Sequence, residues 1–357
     1  MAMSPKPPRP ITVLWFPFFF AAAFALVGML SFAAPTPHSV TIAITGTDQQ
    51  IAEVDRALTD LEQSGFTLTH VASADDARSA VANGQAAAGY TLDAVTGSDL
   101  FIASGGSASR ASYLQSVFLE IVAPAVQSDP LTVHDLVPVP RGDVSGVGMF
   151  FFALPLLLVG LITSIVLLQF AGWATWRKMA VIAATGAFAS LFTYTVAIAL
   201  DIILPTPALL PVGFLLTQAI GWLTSGVAVL TKRFFMPISM TFVLILGIPS
   251  GGATVNSDML PPIVSFLHSV LPFGQYIEAV RSLTYFDGRT AWQHIVVVMA
   301  WAALGAGMLT AAHRGRRQAA PRAGAQRRPR GQGRRPQRLL HRWGVRGLST
   351  TPGHGRF

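Results

Sequence analysis

Hydrophobic residues are gathered along this chain into six long runs, which shorter polar stretches separate. The runs cover about residues 11–34, 147–172, 179–204, 208–230, 234–250 and 291–312. Most of them reach the length of about 20 residues that an α-helix needs to cross the hydrocarbon core of a bilayer. The pattern therefore predicts an α-helical integral membrane protein with six transmembrane helices.

The first run follows a short basic segment, residues 1–10, which contains Lys6 and Arg9. This arrangement is typical of an uncleaved membrane anchor and also of a signal peptide. The run is longer than the apolar region of about 7–15 residues that signal peptides carry. We predict an anchor preceded by a cytoplasmic arm, with a signal peptide as the alternative.

Residues 35–146 have a different pattern and form a separate domain. Short apolar or alternating stretches predict strands, and apolar residues at helical spacing predict helices between them. The predicted strands are 40–45, 66–72, 87–92, 100–104 and 131–139, and the predicted helices are 49–63, 74–84 and 109–124. Their alternation predicts an α/β or α+β domain.

Two short helical pieces occupy residues 251–290, before the last apolar run. The first carries an apolar stripe, the second carries another, and Pro272 and Gly274 predict a break between them. Pro261 and Pro262 suit the first turn of the first piece, after a cap at Ser257 or Asp258. The stripes are Ile263, Phe266, Leu267, Val270 and Leu271, then Tyr276, Ile277, Val280 and Leu283.

Each piece is roughly 15 Å long, which is half of the hydrocarbon thickness of a bilayer. A broken pair of this length is stable at membrane depth only when protein covers it or when it lines a cavity. The sequence therefore predicts a re-entrant helical hairpin. A segment that lies flat on the outer surface is the alternative.

Charge indicates how the chain is oriented. Basic residues stand before the first run, at Arg177 and Lys178, at Lys232 and Arg233, and after the last run. Residues 39–145 instead hold thirteen acidic residues and four arginines, a balance of 4 − 13 = −9. Since positive loops stay in the cytoplasm, we predict that the α/β domain is extracytoplasmic and that both termini are cytoplasmic.

The last segment, residues 313–357, contains thirteen arginines and no acidic residue. It is rich in Arg, Gly and Pro and has no periodicity, which predicts a disordered cytoplasmic tail. Such a tail binds anionic lipid or nucleic acid only non-specifically. A reading-frame artefact of GC-rich DNA is the alternative interpretation.

The sequence lacks the residues that several kinds of chemistry require. The chain has no cysteine, which excludes disulfides and Cys-ligated metals. None of its three lysines follows a glycine, so it has no P-loop, and it has no HExxH motif. We predict that the chain is not an enzyme and holds no cofactor or metal, so any ATPase would be a separate subunit.

Ionisable residues inside the apolar runs are few, which argues against a proton pump or an ion channel and favours a large or amphiphilic cargo, or none. Glu278 and Arg281 stand three positions apart and can pair on one helical face, as a structural pair or as a substrate site. The candidate residues of a translocation path and its hairpin are Asp201, Gln218, Pro261, Pro262, Pro272, Gly274, Glu278 and Arg281. The candidate residues for cytoplasmic coupling are Trp176, Arg177, Lys178, Lys232 and Arg233.

The order of these parts resembles the permease subunits of ABC type 2 exporters, and within them the actinobacterial YhgE/Pip (phage infection protein) branch. The motifs that carry the likeness are Ser250-Gly251-Gly252, Leu260-Pro261-Pro262, Leu271-Pro272 and Ala279-Val280-Arg281. Residues 73–93 also resemble the outer domain of that family. The likeness covers most of residues 1–312 in layout and about forty residues in motif.

This resemblance implies a multi-pass protein of the bacterial plasma membrane that exports a substrate as a homo- or heterodimer with a separate ATP-binding subunit. It also implies that the hairpin caps the outer end of the translocation path. The cytoplasmic loop at Trp176, Arg177 and Lys178 is very short for an ATPase contact. The alternative function is a non-transporting surface receptor or scaffold that acts through residues 39–145.

Overall fold

The computed structural model describes residues 11–32, 36–60, 65–93, 97–125 and 131–325. These residues are mostly helical and contain one five-stranded sheet. The chain divides into a compact unit, Met1–Gly315, and a second unit, Arg316–Phe357. The predicted cytoplasmic arm and residues 326–357 of the predicted tail lie outside the described residues.

The chain begins with a helix, α1 (Ile11–Phe32), and continues into the α/β domain. The elements of the domain alternate as the sequence predicts. They are β1 (Val40–Thr45), α2 (Asp48–Thr59), β2 (Phe66–His70), α3 (Ala74–Ala82), β3 (Ala88–Asp93), β4 (Gly97–Ile102), α4 (Ala108–Val117), a π-helical turn (Phe118–Val122), α5 (Ala123–Ala125) and β5 (Leu131–Asp135).

The sheet is mixed and has the strand order β2-β1-β3-β4-β5. β1 pairs in parallel with β2 and β3, β3 pairs antiparallel with β4, and β4 pairs in parallel with β5. Helices cover both faces: α2 and α4 pack on one side through Leu58 and Leu114, and α3 packs on the other through Val81. The domain therefore has three layers.

Three long apolar helices pack against one another: α6 (Gly148–Leu167), α7 (Thr175–Ala199) and α8 (Leu209–Thr231). Ser164 of α6 donates a hydrogen bond to the carbonyl of Gly221 on α8, and Ser190 of α7 donates one to the carbonyl of Leu210. Small residues and hydroxyl groups at helix contacts are the usual means by which membrane helices associate. Gly160 of α6 lies against Thr217, earlier on α8 than Gly221, so α6 and α8 run in the same direction. Gln218 of α8 contacts Ile182, earlier on α7 than Ser190, so α7 runs in the opposite direction.

The fifth apolar run is not one regular α-helix. It consists of α9 (Phe235–Met240), a π-helical stretch (Thr241–Gly247) and a 3₁₀ turn (Pro249–Gly251). A second 3₁₀ turn (Ser257–Met259) leads to α10 (Pro262–Val270) and α11 (Pro272–Tyr285). The last helix is α12 (Ala291–Ala325).

Four helical stretches among the described residues are long and apolar enough to cross a membrane: Gly148–Phe170, Thr175–Ala199, Leu209–Thr231 and Ala291–Ala311. The apolar helices Trp15–Ser31 and Phe235–Gly247 are shorter. The prediction of a mostly helical chain with helices able to span a membrane is confirmed. Six crossings stay a prediction.

The last helix extends into the first residues of the predicted tail, while the rest of that tail stays a prediction. Residues 313–325 were expected to be disordered, but α12 continues to Ala325. Four alanines and four arginines in this stretch favour the helix, whereas its two glycines and Pro321 do not. A helix that has already formed adds such residues without a new nucleation step.

Candidate functional site

The helical hairpin is formed by α10 and α11, and its break lies one residue earlier than expected. Leu271 is extended (φ −75°, ψ 144°), and Pro272 is the first residue of α11. Because proline lacks an N–H and disfavours a helical residue before it, it suits this position. Gly274 does not break a helix: a Cβ there would lie 2.6 Å from the carbonyl oxygen of His268.

The first turn of α10 corrects a second prediction. Pro262 is the first helical residue, but neither Ser257 nor Asp258 caps the helix. Those two residues form the preceding 3₁₀ turn, and the extended Pro261 precedes the helix without a side-chain cap. The apolar stripe of α10 faces outward, with Ile263 and Phe266 strongly exposed, while Val264 and His268 are buried on the opposite face.

Three ionisable side chains meet inside the hairpin. Glu278 accepts a hydrogen bond of 2.5 Å from Nη1 of Arg281, and Nε2 of His268 lies 3.1 Å from the same carboxylate oxygen. Arg281 and His268 are 5% and 4% exposed. A buried charge is stable only with such partners. The predicted pairing of Glu278 with Arg281 is therefore present, and it includes a histidine.

This ionic cluster binds the Ser250-Gly251-Gly252 motif. Nη2 of Arg281 donates a 2.8 Å hydrogen bond to the carbonyl of Gly252, and Nδ1 of His268 lies 2.9 Å from the carbonyl oxygen of Ser250. Gly252 has φ +72°, which favours glycine. The motifs Ser250-Gly251-Gly252 and Ala279-Val280-Arg281, which are separated along the sequence, thus meet in one site. In it, side chains of the hairpin bind the backbone at the end of the fifth apolar run.

The hairpin also contacts α12 along its length. Oε1 of Gln275 lies 2.9 Å from Nδ1 of His294, and Nε1 of Trp301 donates a 2.9 Å hydrogen bond to the carbonyl of Val270. Near the other end, Oγ1 of Thr290 lies 3.1 Å from Oγ of Ser282. These pairs run in opposite directions along the two elements, so α11 is antiparallel to α12.

Polar contacts join the hairpin segment to the α/β domain. Arg110 of α4 forms a 2.6 Å ion pair with Asp258, and Oγ of Ser109 donates to the carbonyl of Thr254. Both side chains of the ion pair are mostly buried, at 13% and 20% exposure. Met259 and Val264 of the hairpin segment belong to the same hydrophobic core as the sheet.

Aromatic residues at the C-terminal end of α11 make a second junction with the domain. Phe286 packs against Gly84 and Gly106, where a Cβ would lie 3.1 Å and 2.8 Å from its ring. Tyr285 lies against Gly105, where a Cβ would lie 2.6 Å from its ring. Side chains at these glycines would displace the rings, so the glycines permit the close docking of domain and hairpin.

A small polar cavity lies where the domain, the hairpin and the start of α6 meet. Its lining includes Asp143, Arg281 and Tyr285 together with the Ser104–Ala108 loop. Asp143 is 7% exposed and accepts a 2.8 Å hydrogen bond from the backbone N–H of Gly148 at the start of α6. Burial raises the pKa of Asp143, and hydrogen bonds from the backbone of residues 146–148 oppose this shift.

Asp201 and Gln218 do not join this cluster. Asp201 follows the end of α7 in a left-handed conformation (φ 54°), and its side chain is exposed. Its backbone carbonyl accepts a hydrogen bond from the N–H of Gly142. Gln218 is buried between α7 and α8, where Nε2 lies 3.4 Å from the carbonyl oxygen of Ile182. Its contacts are those of a residue that joins two helices.

The predicted coupling residues lie at the opposite end of the bundle from the hairpin. Trp176 and Arg177 are exposed at the start of α7, and the guanidinium of Arg177 lies 5.5 Å from the Trp176 ring centroid. Lys178 is half-buried, and Lys232 is exposed after α8 with φ 47°. The side chain of Arg233 lies outside the described part of the chain.

Sequence reasoning missed His268, Gln275, Arg110 and Asp258 as members of this site. A histidine on the apolar helix α10 and glycines at Gly252 and Gly274 were the available signals. Nothing in the sequence links Arg110 to Asp258, because 148 positions separate them. Among the described residues, no group of three or more His, Asp or Glu side chains is arranged to hold a metal ion.

Comparison with known proteins identifies no relative. No protein-family model, no curated protein and no solved structure matches the chain.

Proposed function

We propose that this chain is the membrane-spanning subunit of an ABC-type exporter, which moves a large or amphiphilic substrate across a bacterial plasma membrane. The chain would work as a homo- or heterodimer with a separate ATP-binding subunit. The observation that carries the proposal is the antiparallel contact of the broken hairpin with α12. The arrangement of charge along the bundle supports the orientation.

The depth of the hairpin is estimated from its partners on α12. Val270 contacts Trp301, which lies ten positions beyond Ala291, the first residue of that helix. At 1.5 Å per residue this is about 15 Å along the helix axis. The hydrocarbon core is about 30 Å thick, so a break at Leu271 near its middle supports a re-entrant hairpin.

The protein environment of the hairpin agrees with that depth. Pro272, Tyr276 and Arg281 are buried, and Trp301 satisfies a carbonyl that the end of α10 leaves free. Interrupted helices require this protection inside a bilayer, since lipid supplies no hydrogen-bond partner. A hairpin whose second helix, α11, is buried while the apolar stripe of α10 faces outward suits a cap at the outer end of a translocation path.

The two ends of the bundle differ in charge. Arg177, Lys178 and Lys232 lie at the end where α6 and α8 finish, while the acidic α/β domain joins the end where they begin. Positive residues remain on the cytoplasmic side. This supports an outer α/β domain that holds the hairpin, and an inner basic end that contacts the ATPase.

Photocrosslinking at the two ends tests this proposal. A photoreactive amino acid replaces Trp176 at the basic end or, as the matched control, Trp292 at the opposite end; both tryptophans are 67% exposed. Cells are irradiated, and the adducts are probed with 8-azido-ATP. We expect an ATP-labelled adduct from position 176 alone. An adduct of equal yield at 292, or none at 176, would contradict the proposal.

A surface receptor or scaffold is the second candidate function. The small size of the basic end favours it. Only residues 171–174 separate the 3₁₀ turn after α6 from α7, and Lys232–Phe234 separates α8 from α9. These connections offer little surface to an ATPase. Replacing residues 39–145 by an unrelated domain should then abolish phage adsorption to cells, whereas unchanged adsorption would rule this candidate out.

A further inference from the structure

An apolar groove lies between α1 and the fifth apolar run. It has a volume of about 380 Å³ and is open on one side. Ligand sites in proteins have volumes of about 300–1,000 Å³, so the groove is large enough to hold a small ligand or a lipid chain. Its walls include the apolar side chains of Trp15 and Phe19 on α1 and of Pro237, Ile238, Phe242 and Leu246 on the fifth run.

The packing of α1 changes along its length and leaves room for the groove. Ser31, near the end of the helix, is 1% exposed, and α1 contacts the Pro249–Gly251 turn that finishes the fifth run. Trp15, near its start, is 44% exposed, and Ile238 across the groove is 42% exposed. The two segments therefore separate toward the start of α1.

The dimensions of the groove suit one acyl chain. Pro237 and Leu246 are nine positions apart, which is about 10–14 Å along a helix. One leaflet contributes about 15 Å to the hydrocarbon core. A helix of a second copy does not fit, because with its side chains it is about 10 Å wide and needs roughly 1,000 Å³ over this length.

A basic residue stands at one end of the groove. Lys232 precedes Pro237 by five positions, and its side chain is exposed. It forms no ion pair with the described residues. The sequence has no acidic residue before Asp48 and none in residues 202–257. Neither of the two segments that form the groove therefore supplies an anion to Lys232.

We propose that the groove binds one anionic phospholipid, with an acyl chain between α1 and the fifth run and the phosphate at Lys232. Basic residues beside membrane helices attract anionic headgroups, and tryptophan such as Trp15 favours the level of the headgroups. The inference rests on the membrane location and orientation of the proposed function, and it places the lipid in the cytoplasmic leaflet. It requires neither an ATPase nor a cargo.

A photoreactive residue identifies what fills the groove. It replaces Ile238 or, as the matched control, Ile162 of α6, which is 54% exposed and lies outside the groove. The full chain is irradiated in nanodiscs with equal amounts of phosphatidylglycerol and phosphatidylcholine, and mass spectrometry identifies the adducts. We expect mainly phosphatidylglycerol at 238 and both lipids at 162. A crosslink to a second copy at 238, or the same lipid ratio at both positions, would overturn the site.

Lys232→Gln tests the role of the charge. In the reporter at position 238 it should lower the ratio of phosphatidylglycerol to phosphatidylcholine adducts about fivefold, the factor that one basic residue near an anionic surface supplies. Arg177→Gln removes another exposed charge at the basic end and should leave the ratio unchanged. A ratio that survives Lys232→Gln, or falls equally in both variants, contradicts a phosphate at Lys232.

Mass spectrometry of the intact wild-type chain provides a test that needs no variant to fold. Released from the same nanodiscs, the chain should retain one phosphatidylglycerol. Ile238→Trp fills the groove and should lose this lipid, whereas Ile162→Trp should keep it. A wild-type chain that retains no lipid, or retains both lipids equally, would exclude the site, as would a lipid that survives Ile238→Trp.

The outcomes for the lipid site and for the exporter are separate. Loss of the lipid preference removes the site and leaves the ATP-labelled adduct at position 176 unaffected. An absent adduct removes the exporter, while a retained phosphatidylglycerol on the purified chain still supports the lipid site.

Discussion

Trp301 donates a hydrogen bond from Nε1 to the carbonyl oxygen of Val270 over 2.9 Å, and so joins α12 to the last residue of α10. The final carbonyls of a helix lack partners within that helix. In the re-entrant hairpin proposed above, no water would replace those partners. This contact therefore allows α10 to end where it does.

Trp301→Phe should destabilise the protein by about 1–3 kcal/mol, because it leaves this carbonyl without its donor. Trp222→Phe is the matched control, because it removes the same ring volume. The Nε1 of Trp222 has no hydrogen-bond partner among the described residues, so this variant breaks no hydrogen bond. Equilibrium unfolding in SDS titrations measures both. An equal loss in the two variants would show that ring packing, and not the hydrogen bond, accounts for the effect.

Gly305→Ala should loosen the contact between α8 and α12. A Cβ at Gly305 would lie 2.3 Å from the backbone nitrogen of Leu223, and backbone atoms cannot move aside as a side chain can. We expect a loss of about 1–3 kcal/mol from overpacking. Gly307→Ala, two positions away in open space, should instead stabilise the helix by up to about 1 kcal/mol. Thermal unfolding in detergent compares the two variants, and equal midpoints would refute the close approach.

Asp143→Asn should change how stability depends on pH. The pKa of Asp143 in the folded protein is raised above its ordinary value of 3.8, so the folded state binds this proton more tightly than the unfolded state. Wild-type stability therefore falls as pH rises from 3.8 through the folded pKa, and stays lower above it. Asparagine has no charge to bury and keeps the oxygen that accepts from Gly148.

The Asp143→Asn variant should therefore be at least as stable as the wild type at pH 7. The stability difference between the two should grow with pH across that window. Asp143→Ala, which also loses the acceptor, should be about 1 kcal/mol less stable than Asp143→Asn at every pH. Unfolding measured between about pH 3 and pH 7 gives these differences, and an Asn variant clearly weaker than the wild type at pH 7 would contradict the assignment.

The ion pair of Arg110 with Asp258 should couple the α/β domain to the hairpin segment. A double-mutant cycle with Arg110→Ala and Asp258→Asn should yield a coupling free energy of about 1–3 kcal/mol, since the pair is largely buried. The exposed pair His134 and Asp99, at 41% and 46%, is the control and should yield below about 1 kcal/mol. The backbone N–H of His38 donates a 2.6 Å hydrogen bond to the carbonyl of Asp258, so limited proteolysis should also cleave residues near 36–40 faster in Arg110→Ala. Additive single effects would exclude the coupling.

Periodicity was sufficient to predict the local elements. The pattern in residues 40–45 gives a strand and the helical spacing in residues 109–124 gives a helix, because each depends on which face of a short segment is apolar. The π-helical turn Phe118–Val122 inside the second segment does not follow from the spacing. The order of strands in the sheet does not follow from such local patterns. It depends on which strands pair across distant segments, as β1 does with both β2 and β3.

The ionic site was predictable only in part. Glu278 and Arg281 are neighbours on one helical face, so their spacing alone predicted the pair. The Ser250-Gly251-Gly252 motif was recognisable, but its role as an acceptor for Arg281 and His268 depends on how two segments fold back on each other. A polar residue such as Gln218 attracts attention in an apolar run, yet its neighbours on α7 decide what it does.

The sequence by itself determined that this chain has helices able to span a membrane, an α/β domain between the first two apolar runs, and an interrupted hairpin before the last. Those properties follow from apolar length and period, which act within a segment. Only the tertiary structure decided that α11 runs antiparallel to α12, that Arg110 pairs with Asp258, and that glycines enclose His268. These contacts join residues far apart in the chain, and the close packing that selects them depends on the shape of every neighbouring segment at once.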